Sequence, residues 1–498
     1  MQNGLLDSLG TLFARAGQSS AGAFPVVSES YNRRYAAWRA AHRIEPPQKI
    51  EYAPQIDVIA EKGVHDDALR TQTYPHCKLL RDDSGDGEYV LYLFKGDILH
   101  PDALLHFAAA LNASPRADLL FADEDLHRAG ARLCPQFKCD LNAVNLLSYN
   151  CIGRPLLVRR KLHDAAGGMA AFTDDAAYAY ALRCALHSAH AAHIDAVLLS
   201  RAALPALSDT EGRACIDAYL QKGGLDGYAV AGLCKNTFRL RTSLRAKEQI
   251  SIIIPNKNNV RRLRRLLESI EQNALYPYYR IRIVDAGSEN LDILRYYELL
   301  RANGAADILT MPSESMAALW NFGARSAKGA ILLFLRPDTV MDTPGFLVPM
   351  LDQAHRALAG AVGCAVADAE GTPLAAGTAS ANLCENVPWL SQTVRATALL
   401  HGACVMLQSD LFFRAGCFDE TYFSAGGAAA ELCIRLMRRG QTNIFTPAVS
   451  ALVHGADVTP TAKERERLED ALRPLSQYDP YLSARWTEIL ETRDLNHR

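Results

Sequence analysis

Residues 330–340 read AILLFLRPDTV, a run of branched apolar side chains that stops on Arg336, Pro337 and Asp338. A run so short, broken at once by proline, predicts a strand buried on both faces rather than a helix. Asp338 then falls at the carboxyl end of that strand, the edge where ligands bind in open α/β sheets, and reads as part of a metal or phosphate site. The alternative is a loop aspartate that caps the next helix. Some 50 residues earlier, RIRIVDAGSEN predicts another strand, ending on Asp285 and a glycine turn before Ser288. A carboxylate there can accept the imide N–H of a uracil or thymine ring, and Gly287 lets the backbone approach closely.

Both carboxylates need a sheet to carry them. SIIIP at 251–255 predicts a buried strand, and RRLRRLLESIEQNA after it an amphipathic helix with Leu263, Leu266, Leu267 and Ile270 on one side. With the strand that ends on Asp285 this makes a β-α-β unit, whose crossover should be right-handed. Pro255-Asn256 and Asp285–Ser288 then lie side by side on the carboxyl edge. Further upstream, the short apolar runs IDVIA, YVLYLF, ADLLFA, PLLVRR and AVLLS alternate with helical stretches such as PDALLHFAAALNA, which argues a second α/β unit. The chain is therefore divided into a helical segment at 1–48, an α/β unit at 49–205, a connector at 206–247, an α/β unit at 248–458 and a helical tail at 459–498.

Composition excludes several classes. The chain has 498 residues, 49% of them hydrophobic and 22% charged, enough for two soluble cores. A net charge of -2 gives no field that favours nucleic acid. The twelve cysteines are scattered singly, without CxxC pairs, as suits buried thiols in a reducing compartment, so the cytoplasm is predicted. No apolar stretch is long enough to span a bilayer. The first residues, MQNGLLDSLGTLFARAG, lack a signal peptide's positive flank but place Leu5, Leu6, Leu9, Leu12 and Phe13 at helical spacing.

SIIIPNKNN, IRIVDAGS, WNFGARSAKGAILLFLRPDTV, GACVMLQSDLFFRAGCFDETYF, ELCIRL, NIFTPAVSALVH and DPYLS follow one another across residues 248–485. In this order they resemble the family 2 glycosyltransferases with a GT-A fold, most closely the bacterial rhamnosyltransferase and O-antigen transferase type. The resemblance implies an inverting enzyme of cell-surface polysaccharide biosynthesis. It would move a sugar from a nucleoside-diphosphate sugar to a glycan or lipid-linked acceptor, in the cytoplasm at the inner face of the membrane. Peripheral membrane association and homo-oligomerisation are further partnerships it leaves open. It also implies roles residue by residue. Pro255, Asn258, Asp285 and Ser288 would hold the nucleotide, Asn321 and Gly323 would sit near the ribose and diphosphate, with Lys328 close by, and Asp338 and His454 would bind a divalent cation, Mn or Mg.

The first unit is similar to the same family through FKGDILHPDALLHF and LFADEDLHRAGARLCPQFKCDLNAVNLLSYNCIG. It departs from the pattern in its short beginning and in Ala177 and Ala179, where acidic residues are usual. It is expected to be a truncated GT-A-like domain, with Asp123, Glu124 and Asp125 in a solvated turn. The second unit departs as well. Arg336 stands where the first metal-ligating carboxylate is usual, so the cation is expected to be weakly held or absent, with Arg336 either on the diphosphate or paired with Asp338. Ala429 stands where the family's general base is usual, and Glu431, two residues on, is the remaining candidate for catalysis beside Asp338. Two readings follow: a glycosyltransferase with altered motifs, or an inactive relative that binds glycans or serves as a scaffold.

Overall fold

The computed structural model describes residues 24–47, 50–242, 247–375, 377, 380–422, 424–455, 462–464, 466–468, 473 and 479–492. The apolar segment Leu5–Phe13 lies outside them, as does most of the stretch KERERLEDALRPL. The chain divides into two compact units. Among the described residues, one holds 24–239 with 385–389 and 482–492, and the other holds 240–384 and 390–481. The division falls inside the stretch expected as a connector. Most of that stretch is ordered structure of the first unit: the helix Asp209–Lys222 and the hairpin of β9 (Tyr228–Ala231) with β10 (Phe238–Arg241).

The second unit is built on a long mixed sheet. Its strands run in the order β13 (Asp307–Thr310), β12 (Tyr279–Asp285), β11 (Ile250–Asn256), β14 (Ile331–Leu335), β19 (Cys404–Gln408), β16 (Ala359–Asp368), β20 (Thr442–Val453) and β15 (Thr339–Met341). Every residue of β11 and β14 is buried, which is why both read as unbroken apolar runs. β11 pairs in parallel with β12 and β14, and the helix Val260–Asn273 makes the expected crossover. That helix starts on Asn259, whose side chain accepts the Arg262 N–H, and buries Leu263, Leu266, Leu267 and Ile270. Behind the sheet, Trp320, Phe334, Phe412 and Phe418 form one aromatic cluster, with Phe334 and Phe418 edge to face at 4.8 Å.

The first unit repeats this plan. Its strands run β2 (Cys77–Leu80), β1 (Ile56–Ala60), β3 (Tyr89–Leu93), β7 (Leu156–Arg159), β5 (Leu119–Arg128), β8 (Ala191–Arg201) and β4 (Ile98–Leu99), with β6 (Ala131–Gln136) paired to β5. Taken in turn these match β12, β11, β14, β19, β16, β20 and β15 in order and in direction. What is missing is an outer strand like β13 and helices between β1, β2 and β3. The short beginning therefore still holds two strands beside β3, joined by loops instead of crossover helices.

Asp123, Glu124 and Asp125 do not form a solvated turn. They lie within β5 and are almost wholly buried. Each is paired. Asp123 accepts from the Lys138 backbone at 2.8 Å and lies 2.7 Å from His193 Nε2, and Asp125 accepts from the Tyr35 hydroxyl at 2.8 Å. Tyr35 belongs to the helix Glu29–Ala41, whose Tyr31 donates to the Trp486 carbonyl at 2.9 Å. The helix Glu29–Ala41 and the segment around Trp486, expected in separate terminal pieces, thus belong to the first unit, because their aromatic side chains need a core to enter, whereas the tail up to Tyr481 belongs to the second.

Candidate functional site

β11 and β12 stay in register to their last pair, Asn256 with Asp285, so two polar side chains meet where two apolar strands end. The Asp285 carboxylate is buried and accepts from Ser288 N at 3.1 Å and from the Tyr297 hydroxyl at 3.1 Å, and the Ser288 hydroxyl also donates to it. Tyr297 in turn receives Asn256 Nδ2 at 2.8 Å. Burial pushes the Tyr297 phenol up to about 12, so it stays a donor at neutral pH. Asn258 sits in the left-handed region, φ 53°, where asparagine is tolerated. It gives its N–H to Ser288 Oγ at 2.9 Å and receives Glu289 N at 2.8 Å and Asn290 N at 3.0 Å. Pro255, which has no N–H to give, lies beyond Ile253, the last residue of β11 paired with β14.

One atom in this cluster has no partner. Asn256 Oδ1 is buried and accepts no hydrogen bond among the described residues. A buried acceptor left unpaired is costly, and a ligand N–H is the kind of group that would satisfy it. Tyr297 was not legible as a site residue from the motifs alone. Its signal was a tyrosine on the inner stripe of its helix, in phase with Ile293 and Leu300.

The next strand along, β14, delivers Arg336 and Asp338 to the same edge. They form a planar fork, with Nε donating to Oδ1 at 3.0 Å and Nη2 to Oδ2 at 2.7 Å, and both residues are about 95% buried or more. His454, which follows β20, gives its backbone N–H to the Asp338 carbonyl at 2.9 Å. Of the two placements expected for Arg336, the structure shows the pair with Asp338.

Other expected site residues have structural work instead. Asn321 is saturated by the following loop, donating to the Phe418 carbonyl at 2.9 Å and to Glu420 Oε1 at 3.0 Å while accepting Phe418 N at 3.0 Å. Gly323 is a packing glycine, since a Cβ there would lie 2.5 Å from Ile253 Cγ2 and 2.9 Å from Val284 Cγ2. Gly323→Ala is therefore expected to cost about 1–3 kcal/mol by overpacking. In a denaturation and titration pair, a ligand-contact role would appear instead as weakened nucleotide binding at unchanged stability. Lys328 precedes β14 and lies at the amino end of the sheet, beside Ser251, away from the carboxyl edge. Glu431 is held by Arg435, Nε to Oε1 at 2.8 Å, and Arg435 also donates to the Ala415 carbonyl. Ala429 is fully buried in the apolar core.

Residues 251–400 match the family described as glycosyl transferase family 2. The chain carries a family 2 glycosyltransferase domain. With the mixed sheet described above, this domain has the GT-A fold. Among curated proteins, the chain is 28% identical to the O-antigen biosynthesis protein RfbC of Myxococcus xanthus over 394 residues, 74% of this chain and 31% of that protein. It is 24% identical to the uncharacterized protein y4gI of Sinorhizobium fredii (strain NBRC 101917 / NGR234) over 427 residues, 77% of this chain and 46% of that protein. The chain thus spans less than half of the length of each of these relatives. The crystal structure of GalNAc-T7 with UDP, GalNAc and Mn2+ aligns with a TM-score of 0.38 at 17% identity, over 51% of this chain and 55% of that one.

A divalent cation does not fit the residues of this glycosyltransferase domain. Both Asp338 oxygens already receive an N–H from Arg336. Among the described residues no group of three or more His, Cys, Asp or Glu side chains is placed to hold a metal ion. At the helix Ala425–Arg438, Ala429 is apolar and Glu431 is paired with Arg435. No helix among the described residues is long and apolar enough to cross a membrane.

The matching edge of the first unit is filled by its own charges. Asp97 follows β3 as Asp338 follows β14, and Arg154 Nη1 reaches it at 2.6 Å. Arg154 and Arg201 share Asp174, and Glu124 lies 3.6 Å from both Arg201 and Lys138. Burial pushes Asp97 up and Lys138 down, and the opposite charges beside them, Arg154 and Glu124, work against the shift.

Proposed function

We propose that this chain is a glycosyltransferase-type protein of cell-surface polysaccharide biosynthesis, of the O-antigen or capsule kind. It would take a nucleoside-diphosphate sugar at the carboxyl edge of the second unit and pass the sugar, with inversion, to a glycan or lipid-linked acceptor. The observation that carries this reading is the Asn256–Tyr297–Asp285 relay, in which a buried carboxylate and an unpartnered amide oxygen face the place of a base N–H. The family 2 match and the likeness to an O-antigen biosynthesis protein support it. Calorimetric titration with UDP, dTDP and GDP tests it. At least one should bind, and Asp285→Ala should weaken it by about tenfold or more, the scale of a hydrogen bond to a charged group. Equal affinity in the variant would remove the relay from the site.

A second reading, binding without transfer, is favoured by the apolar residue at 429 and by the ion pair that holds Glu431. Incubation with radiolabelled nucleotide sugars and lipid extracts separates the two. Product that disappears in Asp285→Ala supports transfer, and saturable binding with no product supports the second reading. In either case the first unit is proposed to act as a scaffold, its ligand edge being closed by the charges around Asp174.

A further inference from the structure

We propose that Arg336 is a built-in substitute for the divalent cation, so that this edge takes its nucleoside diphosphate without metal, and that Arg336 on Asp338 keeps a cation out. The inference rests on the donor-binding reading above. Its basis is the closure of the Asp338 carboxylate. A guanidinium covers one side with two N–H groups, at 3.0 and 2.7 Å, in the fork geometry that satisfies both oxygens at once. The main chain crowds another side, since a Cβ at Gly455 would lie 2.0 Å from Asp338 Oδ2. A metal could reach these oxygens only by expelling a buried cation from a buried anion. Asp97 in the first unit, at the matching place after β3, accepts one N–H from Arg154 Nη1 at 2.6 Å, its other oxygen accepting from Ala202 N. An arginine on this carboxylate thus occurs twice in one chain.

The test compares the full-length wild type with Arg336→Asp, which would put two carboxylates one residue apart at the strand end. UDP, dTDP and GDP are titrated in EDTA and again with excess Mn2+. For the wild type, affinity with and without Mn2+ should agree within about twofold, since a ligand that does not discriminate between states shifts nothing. For Arg336→Asp, Mn2+ should tighten binding by about 10-fold or more, the scale on which single changes in a metal's surroundings act. Tightening of that size in the wild type overturns the inference, and so does a variant indifferent to Mn2+. Should Arg336→Asp not fold, Arg336→Ser frees Asp338 without adding a charge and is judged by the same criterion. If no nucleotide binds the wild type, the donor-binding reading fails, and Mn2+ alone, followed by the electron paramagnetic resonance of the free ion, still decides the claim about Arg336. Free Mn2+ with the wild type and bound Mn2+ with the variant support it; Mn2+ taken up by the wild type, or left free by the variant, overturns it.

Discussion

Arg201→Leu should destabilise the first unit by about 3–5 kcal/mol, the usual penalty for breaking a buried ion pair by removing one partner. Arg201 is 5% exposed, donates to Asp174 and lies 3.6 Å from Glu124. Leucine would fill part of the volume but leave the buried Glu124 and the partly buried Asp174 facing only Lys138 and Arg154. Those cations have other duties. Arg154 serves Asp97, and Lys138 Nζ also donates to the carbonyls of Ala122 at 2.6 Å and Arg154 at 3.0 Å. Urea denaturation followed by tryptophan fluorescence would read the loss, since Trp38, Trp389 and Trp486 all belong to this unit. Arg70→Ala is the control. Its ion pair with Asp67 joins side chains that are 83% and 55% exposed, so removing it should change stability by less than about 1 kcal/mol. A loss from Arg201→Leu as small as the control's would mean that water already reaches the network and that this edge is open.

Ala429→Asp should likewise be a large loss, although the family pattern read from sequence alone makes it look like a repair. Ala429 has no exposed surface and belongs to the same apolar core as Ala428, Leu432 and Cys433. A carboxylate placed there would have to be buried, and an unpaired buried charge costs several kcal/mol before any chemistry is gained. The expected result is a lower midpoint for the second unit in a thermal melt, with no gain in sugar transfer. A variant that folds as well as the wild type and transfers faster would show that position 429 faces the acceptor after all. Glu431→Gln is informative beside it. Because Glu431 is engaged by Arg435 and not by the ligand edge, its loss should leave nucleotide affinity unchanged.

The outcome at 429 shows how the two levels of description part. Helical spacing established that residues 429 and 431 project on different sides, but not which side meets the core. That depended on Leu400, Val405 and Phe418, which come from distant parts of the chain. The same holds for Asn321 and Gly323. Their motif is local and legible, but their contacts, with Phe418 in one case and with Ile253 and Val284 in the other, are made only when helix and sheet pack. Asp123, Glu124 and Asp125 are the sharpest case. Three consecutive acids read as solvated because each needs a counter-charge, and the partners arrive from as far away as Arg485, 3.1 Å from Asp123.

The sequence by itself determined three strands of the second unit, those that end at Asn256, Asp285 and Leu335, the carboxyl edge they share and the family they belong to. These follow from unbroken apolar runs, turn residues and helical periodicity, all of which act over a few residues. Only the tertiary structure decided that Arg336 grips Asp338, that Asn256 and Tyr297 join Asp285, and that the first unit repeats the same strand order with paired charges at its carboxyl edge. Those outcomes rest on charges and amides meeting in a buried place. Such groups take whichever partner the fold brings within about 3 Å, and no spacing along the chain records that choice.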